Sequence, residues 1–174
     1  MRQTCHTRTP TTRQQGFTLM EVLIAVVVLS IGLLGLAGLQ AAGLRNNQHS
    51  YFRSQSVLIA SDIADRMRAN LPAVLNGAYD QGAGAAAAAK AACTTTTGCT
   101  SADMASNDLA EWNQDIATRL PAGEAVVCLD STPNDGTGTA NAACDGAGTL
   151  YAIKIWWDDD RSGNTTLFAT SFQP

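Results

Sequence analysis

Gly16-Phe17-Thr18-Leu19-Met20-Glu21-Val22-Leu23-Ile24-Ala25, continuing almost unbroken in apolar residues to Leu39, is the stretch that decides how this chain is read. Between Phe17 and Leu39 the only ionisable side chain is Glu21. As a helix rising about 1.5 Å per residue, the span measures roughly 34 Å, enough to cross a bilayer with some tilt. A bare anchor has no use for a carboxylate near its start. An acid costs about 2.5–3.5 kcal/mol at the centre of an inserting helix, and less toward the end where Glu21 sits. Such a residue marks a functional site by default, and it wants a cationic partner.

Three plain readings fit less well. A secretory signal has an apolar core of about 7–15 residues followed by a small-residue cleavage site. Val22–Leu39 is longer, and Glu21 is out of place there. Gly38 is followed by leucine, not by the cysteine of a lipoprotein. A single-pass anchor explains the length and leaves Glu21 unexplained. A soluble core helix would carry a polar face, and this run has none.

With Arg2, Arg8 and Arg13 ahead of it, the Gly16, Phe17, Thr18, Leu19, Glu21 arrangement resembles the leader of type IV prepilins and pseudopilins. The resemblance implies that prepilin peptidase cleaves between Gly16 and Phe17 on the cytoplasmic face and methylates the new N-terminus at Phe17. Residues 1–16 are then a removed leader and 17–39 a transmembrane and assembly helix. Residues 40–174 form a periplasmic domain, anchored in the inner membrane with the N-terminus cytoplasmic. For Glu21 the resemblance implies an assembly contact with the charged N-terminus of a neighbouring subunit.

The 174 residues amount to about one domain plus an anchor. The leader holds three of the 11 basic residues and none of the 15 acids, so its loss takes the formal charge from −4 to −7. An acidic exterior argues against a nucleic-acid groove, and no basic run with interleaved aromatics is present. There is no Ser/His/Asp set, P-loop or Gly-rich nucleotide loop, so the chain reads as a non-enzyme without a cofactor.

Cys5 lies in the leader; Cys93, Cys99, Cys128 and Cys144 remain. An even count outside the cytoplasm reads as disulfides. Sequence allows three pairings, of which the local one, Cys93–Cys99 with Cys128–Cys144, is preferred. Closing the second loop is worth about 3 kcal/mol on the entropic view. A zinc site lacks both a CxxC and a histidine pair, so no metal is expected.

Beyond Leu39 the helical pattern turns amphipathic. Leu44, Tyr51, Leu58, Ile59, Ile63, Met67 and Leu71 make one stripe, expected to be core, with charged residues filling the rest. Asn70 and Pro72 end the helix at about residue 71. Gly32, Gly35 and Gly38 each cost about 1 kcal/mol in a helix interior, and suggest either close helix packing or a segment that melts on assembly. The Gly- and Ala-rich stretch 77–98 reads as a surface loop pinned by Cys93–Cys99. Ser101 reads as the cap of a second helix with Ala105, Leu109, Trp112, Ile116 and Leu120 on its apolar face, closed by Pro121. Strands follow at Ala125–Leu129, Leu150–Trp157 and Thr165–Phe172. The acidic turn Asp158–Asn164 has oxygen ligands enough to raise calcium, but lacks the spacing of an EF-hand and reads as a solvated hairpin tip.

The expected fold is therefore α+β and type IV pilin-like: a long helix packed on a small antiparallel sheet, with an extra helix in the αβ-loop (72–124) and a β region over 125–174. Ser30–Gln40, Arg53-Ser54-Gln55, Asp62–Asn70, Glu111-Trp112-Asn113 and Trp156-Trp157-Asp158-Asp159 are similar to PilV-type minor pilins, the type IV pilus modification proteins. That resemblance implies a low-abundance subunit in a priming or tip complex. Its partners would be other minor pilins, the major pilin, the inner-membrane assembly platform and prepilin peptidase. The alternative in the same architecture is a minor pseudopilin of a type II secretion system.

Overall fold

The computed structural model describes residues 16–174. The leader arginines and Cys5 lie outside the described residues. The chain divides at Leu44/Arg45 into two units, and α1 (Leu19–Ala69) runs through the division. In the first unit α1 is exposed all round. It is long and apolar enough to cross a membrane.

In the second unit α1 buries a narrower stripe than its sequence suggests. Ile59, Ile63 and Met67 are core, joined by Ser56, Ala60 and Ala64. Leu44, Tyr51, Leu58 and Leu71 are exposed, at 68, 58, 61 and 42 %. The reason is helical phase. The buried positions from Ser56 to Met67 follow one face, and at about 100° of rotation per residue Tyr51 and Leu58 project from nearly the opposite side of the helix. α1 stops at Ala69, and Pro72 falls in the first turn of a further short helix, α2 (Leu71–Leu75). Proline is tolerated there because its missing N–H has no helical acceptor.

The alanines at 85–89 do not form a helix; so short a run is marginal on its own. The strip is held along α3 (Ser101–Arg119) instead. Ala88 N–H donates to the Ser106 carbonyl at 3.1 Å, and Lys90 N–H to Asn107 Oδ1 at 2.8 Å. A 3-10 turn follows at Ala91–Thr94. The α3 cap lies one residue earlier than expected. Thr100, in extended conformation, accepts from Asp103 N–H at 3.1 Å, while Ser101 is already helical.

β1 (Glu124–Leu129), β2 (Tyr151–Trp157) and β3 (Thr166–Phe172) form an antiparallel sheet in the order β1-β2-β3. Period-2 alternation gives it two faces. One carries Val127, Tyr151, Ile153, Ile155 and Trp157 into a core shared with Ile59, Ile63 and Met67 of α1 and Leu109, Trp112 and Ile116 of α3. The polar ends of the large aromatics are satisfied inside. Trp112 Nε1 donates to the Ile59 carbonyl and Tyr151 Oη to the Val74 carbonyl, both at 2.9 Å. The other face carries Val126, Cys128 and Trp156, packed against Ala142, Cys144 and Leu167. The connection from Asp130 to Gly148 therefore covers the second face, and every residue of β2 is buried.

Candidate functional site

Thr18 starts α1. Its side-chain oxygen accepts from Glu21 N–H at 3.3 Å, and its carbonyl accepts from the same group at 3.1 Å. Glu21 thus lies in the first turn, where the helix dipole favours a negative charge. Phe17 is 83 % exposed, and Phe17, Glu21, Val22 and Ala25 border one shallow recess on the helix surface. Among the described residues Glu21 has no ion-pair partner. A side chain at Gly16 would meet nothing within 4 Å, and the same holds at Gly32, Gly35 and Gly38. Among the described residues, nothing in the fold requires glycine at these positions.

Two polar clusters hold the second unit together. Arg66 on α1 donates to Asp62 (2.9 Å), Asp108 (3.2 Å) and Glu111 (2.8 Å), the last two on α3. Asp108 also accepts from Tyr79 Oη at 2.6 Å, and Asn70 donates to Tyr79 Oη and to the Ser101 carbonyl. Burial works against the Arg66 cation, and the three acids outweigh it, led by Glu111, so its pKa is raised. Arg66 and then Asn107 hold Glu111 below the usual carboxylate range. Burial, then Asp108, raises the Tyr79 hydroxyl. Asp62, Arg66, Asn70 and Glu111 belong to short motifs conspicuous in the sequence; Tyr79 and Asp108 carried no such signal.

The second cluster is the one the sequence hid. Lys154, in the middle of β2, has a fully buried side chain. Its ammonium lies 2.5 Å from Asp130 Oδ2 and 2.6 Å from Asp135 Oδ1, and donates to the Ala142 carbonyl at 2.8 Å. Asp130 Oδ2, also buried, makes no hydrogen bond of good geometry, so its compensation is the charge of Lys154 alone. Burial opposes the ammonium, but Asp130 and Asp135 hold the Lys154 pKa above the ordinary lysine value. In return Lys154, then Thr132, lowers that of Asp135.

Disulfides join Cys93 to Cys99 and Cys128 to Cys144, with Cα separations of 4.8 and 6.1 Å. The second ties the 130–148 connection to β1 beside the Lys154 cluster. In the turn after β2, Asp158 and Asp160 accept from the N–H groups of Ser162 and Gly163. Asp159 instead pairs with His49 of α1 at 2.8 Å. Among the described residues no group of three or more His, Cys, Asp or Glu is placed to hold a metal ion.

An exposed apolar helix opening on Glu21, followed by a compact helix-on-sheet unit, has a counterpart among known families. Residues 11–37 match the prokaryotic N-terminal methylation motif, and residues 38–110 match the family described as type IV pilin Tt1218. The fold is type IV pilin-like. The pilin match runs from α1 through the first half of α3 and ends before the sheet. No curated protein and no solved structure matches the chain. A pilin-type match behind a methylation motif supports a role in a pilus or pseudopilus, and the matched family is structural rather than catalytic. The apolar helix and its motif are consistent with anchoring in the inner membrane and incorporation into a pilus.

Proposed function

We propose that this chain is a minor pilin that takes part in type IV pilus assembly, in a priming or tip complex with other minor pilins. Prepilin peptidase removes residues 1–16 by cutting between Gly16 and Phe17, and Phe17 becomes the methylated N-terminus. Residues 17–39 then hold the subunit in the inner membrane, with 40–174 in the periplasm, until it is extracted into the pilus. The observation that carries this reading is Glu21, without an ion-pair partner among the described residues, in the capped first turn of a helix exposed on every side. A carboxylate there costs free energy in lipid unless a cation meets it. Within the mature chain the Phe17 α-amino group lies about one turn away; in an assembly the N-terminus of an adjacent subunit serves the same purpose.

Deleting the chain tests the role. Surface piliation should fall sharply and return on complementation. Unchanged piliation, together with a secretion defect, would favour the pseudopilin reading of the same architecture.

A further inference from the structure

The two edges of the sheet are treated differently. At β1 the outer edge is closed. Gln81 N–H donates to the Val127 carbonyl at 2.8 Å, the Gln81 side-chain oxygen accepts from Val127 N–H at 2.8 Å, and Asp80 accepts from Leu129 N–H at 3.3 Å. These bonds also fix which residues face which way. Val127 and Leu129 point outward, so Glu124, Val126 and Cys128 bond to Trp156, Lys154 and Ala152 of β2. The alternate β2 residues, Tyr151, Ile153, Ile155 and Trp157, then bond to Phe172, Thr170, Phe168 and Thr166 of β3. This leaves the N–H and C=O groups of Leu167, Ala169 and Ser171 facing outward. Among the described residues, no other segment donates to them or accepts from them.

Free edges are normally blunted by charge, proline, a bulge or a cover. β3 reads Thr-Leu-Phe-Ala-Thr-Ser-Phe, with no charge, no proline and no glycine. Beside it runs a groove of about 170 Å³, lined on the α1 side by Val57, Ser61, Ala64 and Arg68 and on the β3 side by Phe168 and Thr170. Ser61 and Ala64 are small and leave room there for the side chains of an added strand, while the Arg68 guanidinium lies over the Phe172 ring at the end of β3.

We propose that β3 is an interaction edge that takes an extended strand from the globular domain of a different pilin-type subunit. Resting on the minor-pilin reading above, this identifies how the subunit engages its partner. The added strand bonds to Leu167, Ala169 and Ser171 and sends alternate side chains into the α1–β3 groove. A second copy of this chain fits less well. Antiparallel β3–β3 pairing places the twofold axis across the sheet and reverses every direction lying in it. The Arg45–Ala69 helices packed on the two sheets would then run opposite ways, whereas two copies leave one membrane in the same chain direction.

The test co-expresses the full chain with each other prepilin-leader protein of the same cell and follows backbone amide exchange in the purified complexes. The amides of Leu167, Ala169 and Ser171 should slow by about tenfold or more on complex formation. Ala169→Pro removes an outward donor without touching the β2 ladder and should weaken the complex by about tenfold, whereas Ala169→Val should leave it within about threefold. A complex in which these amides exchange as in the free chain overturns the edge proposal and leaves the pilin reading standing. So does protection that appears only between copies of this chain. Failure to bind any such protein, with absence from pili, overturns both. The exchange readout stands even where Ala169→Pro fails to fold.

Discussion

Lys154 is held out of water by the fold and Glu21, on the proposed reading, by the membrane, and the two are compensated in opposite ways. Lys154 finds Asp130, Asp135 and a carbonyl inside its own domain. Glu21 finds no cation among the described residues. Removing the Lys154 charge should therefore damage the fold. Lys154→Met leaves Asp130 buried and unpaired and should destabilise the chain by about 3–5 kcal/mol in denaturant unfolding, with Asp130→Asn in addition recovering part of the loss. Removing the Glu21 charge should spare the fold. Glu21→Ala should be processed and inserted at least as well as wild type, yet its recovery in sheared pili should fall about tenfold or more. Wild-type recovery would reduce Glu21 to a tolerated polar residue. The two clusters also set the pH response. Asp135 and Glu111 have depressed pKa values, so their contributions are complete above the unfolded values near 4 and disappear as pH falls through the lower folded values. Lys154 has a raised pKa, so its contribution is complete below about 10.4 and disappears as pH rises through the folded value. Melting curves of the intact chain should thus vary little on account of these groups between about pH 5 and pH 9 and lose stability outside that window.

At the scale of elements, what the sequence made legible was what repeats. The apolar run gave α1, Ala105-Leu109-Trp112-Ile116 gave α3 with its buried face, and alternation in β2 gave the two sides of the sheet. Covering of the second side was not legible. Residues 130–148 are rich in Gly, Thr and Asn, with no periodic pattern, yet they bury Lys154 and Trp156. No periodic signal marks a loop that packs through a lysine, because its partners are single side chains far apart in sequence. The α1 stripe failed in the other direction. Leu44, Tyr51 and Leu58 recur every seventh residue, which fits a helical face but not the face that meets the sheet. Spacing alone does not say which of two apolar faces has a partner. Cys128–Cys144 is the covalent strap of the covering loop. Cys128→Ser should lower stability by about 3 kcal/mol, read by thermal or denaturant melting under non-reducing conditions, and should loosen the 130–148 amides before those of α3. Free thiols at all four cysteines in the native protein would remove the strap altogether.

At the scale of the whole chain, a self-contained second unit accompanies a first unit that buries nothing of its own. The second closes its core, caps α3 with Thr100 and pairs its buried Lys154, and leaves one strand edge open. The first exposes Phe17, Leu19, Val22, Leu23 and the apolar residues after them, with glycines at which an added side chain would meet none of the described residues. A helix with no polar face and no partner among the described residues belongs in lipid or among other helices, and on the proposed reading the subunit occupies the two in turn. The proposed sequence of events needs the leader removed, the Phe17 amine made available and the helix retained. Intact-mass analysis of this chain recovered from sheared pili reads all three together. The mass expected is that of residues 17–174 with two disulfides and one added methyl group on Phe17. A terminus near Ala37–Ala42, or a processed chain that stays in the membrane fraction and never enters the pili, would contradict it.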